Sequence, residues 1–198
     1  MTVEVLTLPE IRDVYRNQLE YDFPADERKP LGRIEASLKK GQYICYGLKD
    51  GTGILAYAFF VVIENLYLFD YFAVKEELRG TGIGSRFLKE LFSNPLKSAS
   101  CILLEVDDPA SADNDMEKAV RDRRIRFYLK NGLRNTGAKA NTFGVDFLIL
   151  EQPVGSPHSA EEAGQIYSLI YRSILPKRRY SQMVHMTILS STPFSSPS

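Results

Sequence analysis

From Thr7 onward the apolar positions recur at helical spacing, with Ile11, Val14, Tyr15 and Leu19 on one face. Thr7 with Glu10 three residues later forms a capping-box pattern at the start of that helix. Tyr21-Asp22-Phe23-Pro24 breaks it. A second helix is predicted over 31–40, with Leu31, Ile34 and Leu38 on one side and Gly41 as its stop. The texture then changes to apolar runs. Residues 42–48 and 53–63 flank Asp50-Gly51-Thr52-Gly53, a hairpin signal. Glu64-Asn65 turns the chain into 66–74, whose near-continuous apolar character predicts a central strand covered on both faces.

Beyond a glycine-rich stretch at 80–84 the pattern predicts a helix over 85–92 and a buried strand over 99–106. An acidic loop over 107–117 leads into a helix ending near Lys130, and 133–138 with 142–150 read as a closing strand pair. Ser159 and Glu162 form a second capping box, followed by an apolar stripe of Ile166, Leu169, Ile170 and Ile174. The Ser/Pro-rich stretch 190–198 has the composition of a disordered tail. There is no internal repeat.

A chain of 198 residues suits one domain with a terminal appendage. Its 25 basic and 25 acidic residues balance, which argues against a nucleic-acid binder, usually marked by a basic excess on one face. Cys45 and Cys101 sit inside apolar runs and read as core fillers, not as a disulfide framework. The first residues lack the basic stretch and apolar core of a secretory signal, and no apolar run approaches the roughly 20 residues that span a bilayer. The expectation is a cytoplasmic protein without a membrane partner.

The chemistry concentrates at Arg79-Gly80-Thr81-Gly82-Ile83-Gly84, between a buried strand and a helix start. Alternate glycines leave backbone N–H groups bare and let a bulky anion approach, and the helix dipole adds to the attraction. A phosphate or pyrophosphate is the natural ligand. A P-loop would need Gly-Lys-Ser/Thr, whereas Gly84 is followed directly by Ser85; a dinucleotide fingerprint would need two residues between its second and third glycines, where here there is one.

The order LFDYFAV, then Arg-x-x-Gly-x-Gly, then FYLKNGL some fifty residues later resembles the GCN5-related N-acetyltransferase (GNAT) superfamily over about 42–150. That resemblance implies an α/β fold: a mixed, mostly antiparallel sheet flanked by helices on both faces, here with an extra C-terminal helix. It divides the chain into a GNAT domain over 1–152, a helical extension over 153–189 packed on it, and the tail. It further implies acetyl-CoA as co-substrate, with no metal. The backbone of Phe72, Ala73 and Val74 would pair with the pantetheine arm. The amides of Arg79, Gly80, Thr81, Gly82, Ile83, Gly84 and Ser85 would cradle the pyrophosphate. The implied activity is acetyl transfer to a primary amine, on a small molecule or a protein, by direct attack in a ternary complex. The alternative is a non-catalytic acyl-CoA-binding module.

Tyr128, in FYLKNGL, stands where the family usually carries its general acid, and tyrosine near pKa 10 is a neutral proton donor at physiological pH. Asp70 and Glu105 lie in otherwise apolar strands, where a carboxylate is costly unless paired or working. Either could take the amine proton, and either could be a structural hydrogen-bonding group. Many members have an Asn seven residues before the tyrosine; this chain has Arg121. The acidic residues Asp107, Asp108, Asp113, Asp115 and Glu117 could line a site for a cation or form a solvated loop paired with Arg121, Arg123, Arg124 and Arg126. Asp113-Asn114-Asp115 lacks the glycine and distal glutamate of a calcium loop. Lys177-Arg178-Arg179 reads as a solvated turn. For the C-terminal helix, packing on the sheet, capping a cleft and a homodimer contact all stay open.

Overall fold

A computed structural model describes residues 1–25 and 27–188; the expected tail over 190–198 lies outside them. By its contacts the chain forms two compact units, Met1–Leu104 and Glu105–Ser198.

The first unit is built on a meander. Strand β1 (Thr2–Val5) precedes helix α1 (Leu8–Val14), which continues through a π-helical turn (Tyr15–Leu19) into the short α2 (Glu20–Asp22). The capping box forms as expected: the Thr7 N–H donates to Glu10 Oε2 at 2.8 Å. Helix α3 (Leu31–Lys39) leads to β2 (Tyr43–Asp50), β3 (Gly53–Ile63) and β4 (Leu66–Val74), and β1 to β4 pair antiparallel in sequence order. Helix α4 (Ile83–Ser93) follows the glycine loop and returns the chain to β5 (Cys101–Asp107), which pairs parallel with β4 from Leu66–Cys101 to Phe69–Leu104. A parallel partner needs such a crossover helix.

Strand β4 is irregular at Asp70. In its register with β3, Phe60 faces Phe69 and Phe59 faces Tyr71, so Asp70 is an extra residue, a β-bulge. Ring contacts show the consequence. Phe60 touches Tyr67 and Phe69; Phe69 touches Phe72; and Phe72 stacks on Phe87 of α4 at 5.7 Å. Phe59, its neighbour in sequence and hence on the other face, touches Tyr43, Tyr57 and Tyr71. Phe69 and Phe72 would fall on opposite faces of a regular strand, and the extra residue puts both in the cluster beside α4. The expected covering of this strand on both faces therefore holds, with one aromatic cluster on each.

In the second unit β5 ends at Asp107, and α5 (Asp115–Lys130) begins behind Asn114, whose side chain accepts from the Glu117 N–H at 2.9 Å. Strands β6 (Arg134–Thr142) and β7 (Val145–Gln152) make an antiparallel hairpin, followed by α6 (Ala160–Ile174), α7 (Lys177–Met183) and β8 (Val184–Ile188), which pairs antiparallel with β6. The fold class expected from sequence is present: α/β, mixed and mostly antiparallel, with a C-terminal helix.

Several details differ. The closing pair was expected to turn between 138 and 142, but the turn is Phe143-Gly144, both at positive φ (53° and 87°). Such a two-residue hairpin turn needs left-handed backbone at both positions, which Phe143 does not advertise. The stripe read on α6 is rotated: Ala163, Gly164, Tyr167, Ile170 and Tyr171 are buried, whereas Leu169 is 48% exposed. Residues 177–179, expected as a turn, open a helix, with the Arg172 guanidinium 5.0 Å from the Tyr180 ring centre and that of Arg179 5.5 Å from Phe143. β1 and β8 were not anticipated. Most positions of both are exposed, so neither carries the alternation of a half-buried strand.

Candidate active site

The loop after β4 is shaped by a single-turn helix (Glu76–Leu78) and then by Arg79. Arg79 Nε donates to the Val74 carbonyl at 3.1 Å, and its guanidinium pairs with Asp22, which also accepts the Tyr57 hydroxyl at 2.8 Å. The arginine of the Arg-x-x-Gly-x-Gly pattern thus straps the loop to the end of its own strand and to α2. Gly80 and Gly82 have φ of +79° and +89°, and a Cβ on either would meet nothing within 4 Å. Thr81 Oγ1 donates to the Leu78 carbonyl at 2.6 Å. The Arg86 N–H donates to the Gly82 carbonyl at 3.0 Å. The amides of Ile83, Gly84 and Ser85 come before it, in the first turn, where an α-helix has no intrahelical acceptors for its N–H groups. Left-handed glycines, open space above them and leading helix amides together make a seat for an anionic group.

Asp70, the bulge residue, is engaged. Its carboxylate accepts from the Lys29 ammonium on one oxygen and from the Tyr43 hydroxyl on the other. The ammonium also lies 5.8 Å from the Tyr43 ring centre. The Lys29 peptide is itself fixed: its N–H donates to Tyr71 Oη at 2.6 Å and its carbonyl accepts from Tyr15 Oη at 3.0 Å. Burial, reinforced by the Asp70 charge, pushes the Tyr43 hydroxyl well above the usual tyrosine range, so it stays a donor. No signal in the local sequence links Lys29 to Asp70, 41 positions away.

In the second unit Glu105 is partly buried on β5 and meets two hydroxyls from α6. Tyr167 donates to Oε1, and Tyr171 lies 2.9 Å from Oε1 and 3.1 Å from Oε2. Neither tyrosine was anticipated, although their i, i+4 spacing puts both on one helix face. Tyr128 is 6% exposed near the end of α5. Burial pushes its hydroxyl up to about 12, against a smaller opposing effect of Arg124. The structure thus keeps Tyr128 neutral, and both carboxylates hold hydrogen-bonding partners.

Three residues of the acidic stretch pair with cations of their own unit. Asp108 pairs with Lys139 at 2.6 Å, Glu117 with Arg121 at 2.6 Å, and Asp107 with Arg124 at 3.0 Å. Arg121 also donates to the Asp108 carbonyl at 2.7 Å and to Ser111 Oγ at 3.1 Å. It is the clip that closes this loop. His158 lies 2.5 Å from the fully buried Glu151, which Arg134 also binds. Cys45 and Cys101 are both buried, as core fillers should be. Among the described residues no helix is long and apolar enough to cross a membrane.

No family model matches the chain. A Bacillus subtilis (strain 168) protein named "Putative acetyltransferase YjbC" is 31% identical over 121 residues, 61% of this chain and 56% of that protein. The match thus spans little more than half the length of that relative. Among solved structures, a "Putative acetyltransferase from GNAT family" from Bacteroides thetaiotaomicron superposes with a TM-score of 0.65 at 20% identity, covering 88% of this chain and 98% of its own. An aminoglycoside 6'-N-acetyltransferase complexed with coenzyme A gives 0.61 at 15% identity, over 80% of this chain and 100% of its own. The ribosomal-protein-S18-alanine N-acetyltransferase from Escherichia coli gives 0.58 at 19%, over 79% and 96%.

Proposed function

We propose that this chain, which has the GNAT fold, is an acetyl-CoA-dependent N-acetyltransferase that acts on a primary amine. The observation that carries the proposal is the anion seat at Gly80–Ser85, directly behind a bulged central strand. Gly82 at φ +89° with open space above it is what a close-approaching pyrophosphate requires. A solved structure of the same fold is named as a complex with coenzyme A.

In this reading the backbone of Phe72, Ala73 and Val74 receives the pantetheine arm by strand addition. The amides of Arg79 to Ser85 hold the pyrophosphate, with Arg79 fixing the loop through Asp22 and Val74. Acetyl-CoA, when bound, supplies an activated thioester. Tyr128, held neutral by burial, donates the proton that the departing thiolate needs. Glu105 accepts the proton that the amine loses. Asp70 is the second candidate for that task, and its carboxylate is already shared between Lys29 and Tyr43. A lysine-like amine near pKa 10.4 is mostly protonated in water; the neutral form is the one that attacks, its first proton having gone to solvent, so Glu105 takes only the proton that nitrogen sheds on acyl transfer.

The named relatives of this fold act on aminoglycosides and on an alanine of ribosomal protein S18. Both are amines, and the amine class is as far as the proposal extends. A thermal-shift assay with acetyl-CoA, CoA, ATP and NAD at matched concentrations tests it. A ligand at a hundred times its dissociation constant stabilises a fold by about 2.7 kcal/mol. Selective stabilisation by acetyl-CoA and CoA is expected, followed by release of free thiol with amines. Stabilisation by ATP or NAD alone, or by none of the four, overturns the reading.

A further inference from the structure

The C-terminal helix α6 lies outside the region of family resemblance, yet it sends two phenols to Glu105. We propose that Tyr167 and Tyr171 are positioning residues for Glu105 in its role as proton acceptor, which makes α6 part of the catalytic apparatus. The proposal rests on the acyl-transfer reading above.

The geometry is specific. Tyr167 is fully buried and donates to Glu105 Oε1. Its hydroxyl also lies 2.6 Å from Thr142 Oγ1 on β6, so it is fixed from two sides. Tyr171, 8% exposed, spans the carboxylate, with 2.9 Å to Oε1 and 3.1 Å to Oε2. The two rings pack against each other at 4.8 Å between centres. One hydroxyl fixes an oxygen and the other fixes the plane, so rotation about the last side-chain bond is restrained.

Packing alone does not call for phenols here. Leucine or isoleucine at both places would bury the same helix face without desolvating a hydroxyl. A phenol donating to a carboxylate makes a charge-assisted hydrogen bond, stronger than a neutral one. Burial, and then the Glu105 charge, hold the Tyr167 hydroxyl well above its ordinary range, so it donates throughout the physiological window. Both bonds favour the ionised carboxylate. The arrangement gives an acceptor that is oriented before the amine arrives. The expected transfer is simple: the amine nitrogen forms its bond to the acetyl carbon, the carbon–sulfur bond breaks, the amine proton passes to Glu105, and the thiolate takes a proton from Tyr128.

A double-mutant cycle separates positioning from mere packing. Thiol release from acetyl-CoA is followed with spermidine, kanamycin and an alanyl peptide as amine probes, for wild type, Tyr171→Phe, Glu105→Gln and the double variant. Tyr171→Phe is expected to lower kcat by about tenfold, a fraction of the roughly 10²–10⁴-fold that a general base itself contributes, with the KM for acetyl-CoA unchanged. In the Glu105→Gln background the same substitution is expected to add nothing. Multiplying effects in the double variant, or an unchanged kcat in Tyr171→Phe, overturns the proposal. A second measurement needs no turnover: the Glu105 carboxyl titration, followed by 13C NMR. The groups facing it from α6 are Tyr167 and Tyr171, with Thr142 behind Tyr167. Loss of one donor to the charged form should move that titration to higher pH in Tyr171→Phe, and an unmoved titration overturns the proposal. Full activity in Glu105→Gln removes the assignment of the base. Failure of acetyl-CoA to bind removes the acyl-transfer reading itself.

Discussion

Gly82→Val separates the conformational role of the loop from its proposed role as a pyrophosphate seat. Gly82 caps α4 at φ +89°, and a Cβ there meets nothing within 4 Å. The folded protein therefore has room for the side chain, and the cost is left-handed backbone, about 1–3 kcal/mol for a residue held in such a region. A domain stable by about 5–15 kcal/mol survives this. At about 2–4 °C per kcal/mol for a chain of this size, a 2 kcal/mol cost lowers the melting temperature by about 4–8 °C. Gly144→Val is the matched control, since Gly144 lies in the β6–β7 turn at φ +87° and is equally open. Both variants should lose similar stability. Only Gly82→Val should lose the stabilisation by acetyl-CoA, about 2.7 kcal/mol at a hundred times the dissociation constant, because its methyls occupy the space a pyrophosphate would enter. The assay is thermal unfolding of the three proteins with and without acetyl-CoA. If Gly82→Val keeps the wild-type response, the loop is not the cradle; if both variants lose it, the loss reflects general destabilisation and the reasoning fails.

Tyr128→Phe should lower kcat by about a hundredfold or more, within the usual range for general acid–base catalysis, while CoA affinity measured by calorimetry stays unchanged; equal kcat at saturating substrate removes Tyr128 from the acid role. Because burial holds that hydroxyl up to about 12, Tyr128 should contribute no basic limb to the wild-type pH–rate profile below about pH 11. Glu10 is held down to about 2, first by Lys49 and then by the Thr7 backbone. Its folded pKa is depressed, so its contribution to stability is present above the ordinary carboxylate range and is lost as pH falls toward 2. Urea midpoints of Glu10→Gln and wild type should therefore differ at pH 7 and converge toward pH 2, and a constant gap contradicts the linkage. Asp70→Asn leaves the Lys29 ammonium beside Tyr43 without its anion. A cost of about 1–3 kcal/mol is expected for a stranded partner, at the lower end because Lys29 is 38% exposed. An unmoved urea midpoint assigns the pair no part in stability.

The parts of the site that sequence makes legible are those written into consecutive residues. Alternating glycines at 80, 82 and 84 declare a backbone with bare amides, and a long apolar run declares β4, because both signals depend on local conformation and local burial. The bulge at Asp70 was half visible. LFDYFAV places a carboxylate in an apolar strand, which demands a partner, but the partners Lys29 and Tyr43 come from other elements. Only tertiary pairing selects them. The same limit applies to α6, with one difference. Its apolar stripe suggested that Leu169 packs inward, yet the buried face centres on Tyr167 and Tyr171. Hydrophobic periodicity ranks leucine above tyrosine and so mistakes the phase whenever a helix is aimed by what its side chains bond. A partly buried carboxylate on β5 calls for donors, and α6 supplies two of them from its inward face. The face that α6 turns inward therefore carries its hydrogen-bonding tyrosines with Ala163, Gly164 and Ile170, and Leu169 is the apolar residue left outside.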